Sequence, residues 1–223
     1  MPQVRSVIPS FPGQGMMSSQ PKLVSVKPVE PAKHLIAQLT FSADVTEESV
    51  DAAIKFLNEA QAQDGLEAVV IELNSDGGSV TDGFRLAREI EKSRVPVICV
   101  VEGSAASEGF YLLQSCTERY MTKRSMLMIH YPYFIIKANT PMDRTTLARL
   151  QEETRLIGAI WTEYAGRRLK ISLTQLRKRI EWSDWNLLYV EALKIGAVDG
   201  IVSSVEDAVK DIGETLKVRT IKP

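Results

Sequence analysis

In the stretch EGSAASEGFYLL, residues 102–113, two serines stand among alanines and glycines directly after the apolar run VPVICVV. A serine hydroxyl attacks an acyl group only when a base takes its proton and hydrogen-bond donors await the oxyanion. Ser107 meets the steric part of that demand. Ala105, Ala106 and Gly109 are small enough for a tight strand-to-helix turn that substrate can reach. A helix start also offers free amides and the positive end of a dipole. The pattern is not G-x-S-x-G, however, and a serine in this place also serves simply as an N-terminal helix residue that satisfies the backbone. Ser104 is the competing hydroxyl, but it lacks a glycine two residues on and stands where the N-cap falls.

The chain has two histidines from which a base could come. His34 opens the first strand-like run beside the N-terminal arm and reads as a surface residue. His130 ends the apolar run SMLMIH, at the strand end where a parallel sheet binds its ligands, although a lone strand-end histidine also occurs as a structural residue. A third signal is SDGGSV, residues 75–80. It matches neither G-x-G-x-x-G nor G-x-x-x-x-G-K-[ST], so a phosphate loop is a weak reading. Its glycines allow positive φ and close approach, which either aims amides at a ligand oxygen or only makes a tight turn.

These residues need a frame. HLIAQLTF (34–41), LEAVVIELN (66–74), VPVICVVEG (95–103) and SMLMIHYPYF (125–134) read as strands, with Pro96 tolerated at a strand start. Between them, 46–63 has Val50, Ala53, Ile54 and Leu57 at helical spacing behind the cap Thr46. Residues 81–93 carry Phe84, Leu86, Ala87 and Ile90, and 105–116 form a third helix. Strands apolar on both faces that alternate with helices predict a parallel sheet covered by helices, an α/β fold.

From Pro141 to about Arg168, Leu147, Leu150, Thr154, Ile157, Trp161 and Tyr164 recur at steps of three and four. Such a helix would run roughly 40 Å, longer than a small domain needs, so it is expected to pack on another subunit. The alternative is a helix broken near Gly158 that stays within its own domain. Residues 172–180 and 186–196 read as short helices, AVDGIV (197–202) as a last strand and 204–216 as a closing helix. Residues 1–32 are proline-rich and without period, which predicts a flexible arm ahead of one folded domain, 33–223.

Composition narrows the classes. With 223 residues, 44% hydrophobic and 25% charged, the chain can bury one substantial core. Twenty-seven basic against 28 acidic residues give a formal charge of -1, and the balance implies neither a nucleic-acid nor a membrane partner. No apolar run reaches the roughly 18 to 20 residues of a membrane span, and the N-terminus has no secretory h-region. Cys99 and Cys116 make no disulfide framework or zinc pattern and read as packed thiols, which fits a reducing, cytoplasmic setting.

NSDGGSVTDG, EGSAASEGFYLL and LMIHYP, in that order and spacing, resemble the glycine-rich, serine and Met-Ile-His motifs of the Clp protease proteolytic subunit (ClpP) and its relatives in the crotonase-like fold, over about residues 34–202. The resemblance implies a repeated ββα-type superhelix with a mostly parallel sheet and a long protruding handle helix, here about 141–168. It implies a serine endopeptidase with Ser107 as nucleophile, His130 as general base and then acid, and Asp184 as the carboxylate that orients the imidazole. Asp184 stands fifteen residues before Asp199, the slot in which the family places its aspartate. The oxyanion hole implied is the backbone N–H of Gly78 and of Glu108. No cofactor and no metal are implied. The partners implied are a peptide or unfolded-protein substrate and further copies of the chain in stacked rings, with a AAA+ unfoldase as the family's ATPase partner.

Departures from the pattern accompany these expectations. Asp76 replaces the proline of Ser-Pro-Gly-Gly, and Glu108 follows the nucleophile where a small or apolar residue is expected. A carboxylate there pointed inward would oppose an oxyanion, and pointed outward would be harmless. The N-terminal arm does not resemble the axial loop that ATPase partners engage, and the apolar docking surface has no evident match. Alternatives within the fold are a phage prohead-type maturation peptidase, acting in the procapsid, and a catalytically idle ring component. A crotonase-type acyl-CoA enzyme would not need these three side chains, and the signal peptide peptidase branch relies on a lysine base.

Overall fold

Val69, Val70, Val97, Val100 and Val101 are wholly shielded from solvent, as strands covered on both faces require. The computed structural model of the chain describes residues 35–136 and 141–220; the predicted arm, residues 1–32, and His34 lie outside them. Strand β1 (Leu35–Ser42) leads through α1 (Glu47–Gln61) to β2 (Leu66–Ser75), and α2 (Val80–Glu91) leads to β3 (Val97–Ala106). Thr46 caps α1 in a reciprocal capping box with Ser49, as its position predicts. Helix α3 (Glu108–Ser115) and β4 (Glu118–Thr122) follow, and the sheet runs β1-β2-β3-β4-β7 with every neighbouring pair parallel. The last of these strands, β7 (Gly200–Val202), precedes α7 (Val205–Thr220).

The period of two sorts the strand residues between two cores. Val69, Ile71, Leu73, Val97, Cys99 and Val101 face the larger one, with Leu57, Leu86 and Phe110 from the helices. Ala68, Val70, Ile98 and Val100 face the opposite side, under Val205 and Ala208 at the start of α7. At the far edge Arg119 of β4 is 3% exposed and bound to Asp199 ahead of β7, with Nη2 2.6 Å from the carboxylate. Burial pushes the Asp199 carboxyl up, but the hydrogen bonds and charge of Arg119 outweigh it and hold the group below the usual carboxylate range.

Several expectations are corrected. Ser104, Ala105 and Ala106 belong to β3, not to a helix, because they pair with a short strand β5 (Met126–Ile129) that leaves the main sheet path. The expected helix over 186–196 is split into β6 (Trp185–Leu187), antiparallel to β5, and α6 (Tyr189–Lys194). Cys99 and Cys116 are joined as a disulfide, not free thiols. Cys99 lies inside β3 and Cys116 is the C-cap of α3, which follows that strand; their Cα atoms are 5.8 Å apart, within bridging distance. The cysteines therefore do not argue for a reducing compartment.

The long helix is real and unbroken. α4 (Arg144–Gly166) spans 23 residues and is followed by α5 (Leu173–Ile180). Gly158 does not break it; a Cβ there would sit 2.1 Å from the Tyr131 ring, so the glycine makes a slot for that side chain. Trp161, Thr162 and Ala165 are buried, whereas Leu147, Leu156 and Ile160 are exposed. One side of the C-terminal half thus joins the core, while Leu147, Leu156 and Ile160 point outward along the helix. No helix among the described residues is long and apolar enough to cross a membrane.

Candidate active site

The elbow after β3 is strained where a reagent would stand. Ser107 has φ 53 and ψ -116 and is the one non-glycine among the described residues with positive φ. Such a backbone costs on the order of 1–3 kcal/mol and persists only where its surroundings enforce it. They do so from both sides. The Ser107 N–H donates to the Met128 carbonyl at 2.9 Å, which extends the pairing of Ala106 with Met128 by one step. Gly77 presses against the other side: a Cβ there would lie 2.7 Å from the Ser107 Cβ and 2.9 Å from the Glu108 nitrogen. Gly109 lets α3 approach the end of β2, since its Cβ would meet the Ser75 carbonyl oxygen at 2.7 Å.

The same register brings the imidazole to the hydroxyl. His130 follows the last residue of β5, and its Nε2 is 2.7 Å from Ser107 Oγ, with both residues half-buried. Its Nδ1 is 2.8 Å from the Tyr131 carbonyl oxygen. A carbonyl can only accept, so Nδ1 bears the hydrogen and Nε2 presents a lone pair to the Ser107 O–H. That is the tautomer a general base needs. Ser104, the competing hydroxyl, has its Oγ buried without a partner and its N–H bound to Asn74 Oδ1 at 3.0 Å.

The structure does not bring Asp184 into this line. Asp184 is exposed and makes no hydrogen bond among the described residues. Ile129 and Trp185 are the last pair of β5 and β6, and His130 and Asp184 are the next residues beyond that pair in each strand's direction. The Tyr131 carbonyl, which holds Nδ1 instead, carries no sequence signal, because every residue has one.

Gly78 has φ 145 and a bridge to Val45 that uses the Gly77 carbonyl and the Ser79 N–H. Since successive peptide groups alternate, the intervening Gly78 N–H points away from that bridge. A side chain at 78 would run into the Val45 carbonyl oxygen at 2.3 Å. The Glu108 N–H, first in α3, is one of the donors a helix start leaves without an intrahelical acceptor. Among the described residues neither amide has a hydrogen-bond acceptor; Glu108 follows Ser107, and Gly78 follows the Gly77 that packs against it. The Glu108 side chain turns inward, where its Oε2 accepts from the Trp161 indole at 2.8 Å. Burial pushes its pKa up to about 8, the Trp161 hydrogen bond pulling the other way, so at neutral pH it is an uncharged acid and does not oppose an oxyanion. Asp76, in place of the family's proline, is exposed beside this turn.

A strained serine, a histidine in the right tautomer and two free amides are the parts of an acyl-transfer site. Residues 32–205 match the family model of Clp protease. The ATP-dependent Clp protease proteolytic subunit 1 of Chlamydia muridarum (strain MoPn / Nigg) is 32% identical over 176 residues, 76% of this chain and 88% of the relative. Its namesake in Chlamydia pneumoniae is 34% identical over 173 residues, 75% of this chain and 87% of the relative. The chloroplastic proteolytic subunit 3 of Arabidopsis thaliana is 29% identical over 129 residues, 56% of this chain and 42% of the relative. With its sheet, its elbow and most of its length matched in this way, the chain belongs to the Clp protease family.

Proposed function

We propose that the protein is a serine endopeptidase that cleaves peptides or unfolded proteins, with Ser107 as nucleophile and His130 as base. The observation that carries this reading is the 2.7 Å contact between His130 Nε2 and an Oγ on a strained backbone. As Oγ bonds to the scissile carbonyl carbon, its proton passes to Nε2. The carbonyl oxygen, now negative, takes hydrogen bonds from the Gly78 and Glu108 amides. The imidazolium then gives its proton to the departing amine, leaving an acyl-serine. Water, deprotonated by the same nitrogen, attacks the ester and restores Ser107. Asp184 stabilises the imidazolium by accepting Nδ1–H after a turn of its side chain toward His130.

The exposed apolar residues of α4 support assembly into rings that enclose the sites. Confinement would keep an unselective site from folded proteins. A AAA+ unfoldase is the partner class that the relatives' names, ATP-dependent proteases, point to. The preceding arm, 1–32, is a segment separate from the peptidase domain in this reading.

The test is covalent labelling with a fluorophosphonate, with the modified residue read by mass spectrometry. Wild type is expected to label at Ser107, and Ser107→Ala and His130→Ala are expected to lose labelling. Peptide hydrolysis should fall on the order of 10³-fold or more in Ser107→Ala. Labelling that persists in both variants would sink the assignment. A second reading, an idle ring component, is favoured by one observation: His130 Nδ1 is engaged by a carbonyl, and Asp184 makes no hydrogen bond among the described residues. It would appear as wild-type protein that assembles but neither labels nor hydrolyses peptides.

A further inference from the structure

A carboxylic acid shielded completely from solvent follows the nucleophile in sequence. Glu108 enters a wedge between three helices. From α2, Gly83 makes the room: a Cβ there would lie 2.1 Å from Glu108 Oε1. From α4, the Trp161 indole donates to Oε2 at 2.8 Å. Oε1 has no hydrogen-bond partner among the described residues. A partly satisfied polar group in such a place costs free energy, and a residue chosen only for packing would be apolar. Its backbone N–H is at the same time the amide next after Ser107, one of the two donors proposed for the oxyanion. The side chain and the amide are one residue, so whatever moves the first displaces the second.

We propose that Glu108 is a positioning residue for the oxyanion side of the site: seated between Gly83 and Trp161, its side chain fixes the first turn of α3, and with it the Glu108 N–H, against α4. The proposal rests on the reading of Ser107 as nucleophile. The seat accepts the neutral acid and not the carboxylate. Desolvation raises the pKa to about 8, and no cation among the described residues pulls it back. On α3, Tyr111 is the nearby titratable group, pushed up by burial and then by the Glu108 carboxyl. On α2, Glu91 is bound by Arg167 at 2.7 Å and by the Tyr164 hydroxyl at 2.8 Å. On α4, that same Arg167 lies over the Tyr164 ring, so its charge is already committed. His130 lies on the Ser107 side of the elbow, in contact with Oγ. Ionised Glu108 must therefore draw in water or swing out, and the first turn of α3 goes with it.

The consequence is an alkaline limb in catalysis that Glu108 imposes. Peptide hydrolysis and fluorophosphonate labelling are to be followed from pH 6 to 10 in wild type, Glu108→Gln, Glu108→Ala and Trp161→Phe, with folding checked by circular dichroism. Wild-type kcat should fall through about pH 8. Glu108→Gln keeps the shape and an acceptor for the indole but cannot ionise, so its kcat should hold level between about pH 7 and pH 9.5. At pH 9.5 it should exceed wild type about tenfold or more, the protonated fraction of an acid titrating near 8 being small there. Glu108→Ala should lose kcat roughly 10- to 100-fold with little change in KM, because only transition-state stabilisation is affected. Trp161→Phe should slow labelling in the same sense and raise the pH of the limb, since the indole favours the carboxylate. If Glu108→Ala fails to fold, the glutamine variant decides alone. An alkaline limb unchanged in Glu108→Gln, with labelling intact at Ser107, overturns the positioning role and leaves the nucleophile standing. Wild-type labelling elsewhere, or none, overturns the nucleophile and the positioning role together.

Discussion

At Ser107 the backbone does as much as the side chain. A left-handed serine survives because Met128 holds its N–H and Gly77 leaves no room to relax. That places Oγ on His130 before any substrate arrives, so little reorganisation remains for the reaction. Asp184 is exposed and stands outside the Ser107–His130 contact. If it joins the site in turnover, Asp184→Asn should lower kcat on the order of 10³-fold with KM nearly constant. A loss below about threefold in steady-state peptide assays would mean that the Tyr131 carbonyl alone orients the imidazole. Glu108 also links stability to pH. Its folded pKa is raised from 4.5 to about 8, so its stabilising contribution is complete below about 4.5 and is lost as pH rises through about 8. Chemical denaturation of Glu108→Gln should show that slope flattened.

Among the elements, β3 and α4 carry the site's precision. β3 pairs with β2 and β4 along its first half, then turns to β5, and that change of neighbour is what puts Ser107 within reach of His130. α4 supports both ends of the site, through Trp161 on Glu108 and through the Gly158 slot for Tyr131, the residue whose carbonyl holds His130. Replacing glycine by alanine inside a helix ordinarily gains about 1 kcal/mol. Gly158→Ala should reverse that sign, because the new methyl overlaps a ring at 2.1 Å and overpacking costs roughly 1–3 kcal/mol. Urea unfolding and peptide kcat should fall together; a stabilised variant with wild-type kcat would show that Tyr131 moves aside freely.

For the whole molecule, the outward apolar face of α4 decides whether the sites are enclosed. Leu147, Leu156 and Ile160 are about half-exposed, apolar area that an interface would cover. Light scattering of the wild type should give a multiple of 24.8 kDa, and Leu156→Glu with Ile160→Glu should reduce it. A wild-type mass of one chain would remove the chamber from the proposal and leave the Ser107–His130 pair unaffected.

The sequence by itself determined the alternation of buried strands and amphipathic helices, the capped start of α1, the length of α4 and the two residues now in contact at the elbow. These follow from period, capping and spacing, which are local properties of the chain. Only the tertiary structure decided that Ala105 and Ala106 extend a strand, because their pairing partner lies more than twenty residues away. It alone paired Cys99 with Cys116, turned Glu108 inward onto Trp161, and gave Nδ1 of His130 to a carbonyl while Asp184 stood across the strand pair. Each of these depends on which groups meet across elements distant in sequence, where neutrality, burial and hydrogen-bond partners are set by packing and not by residue type.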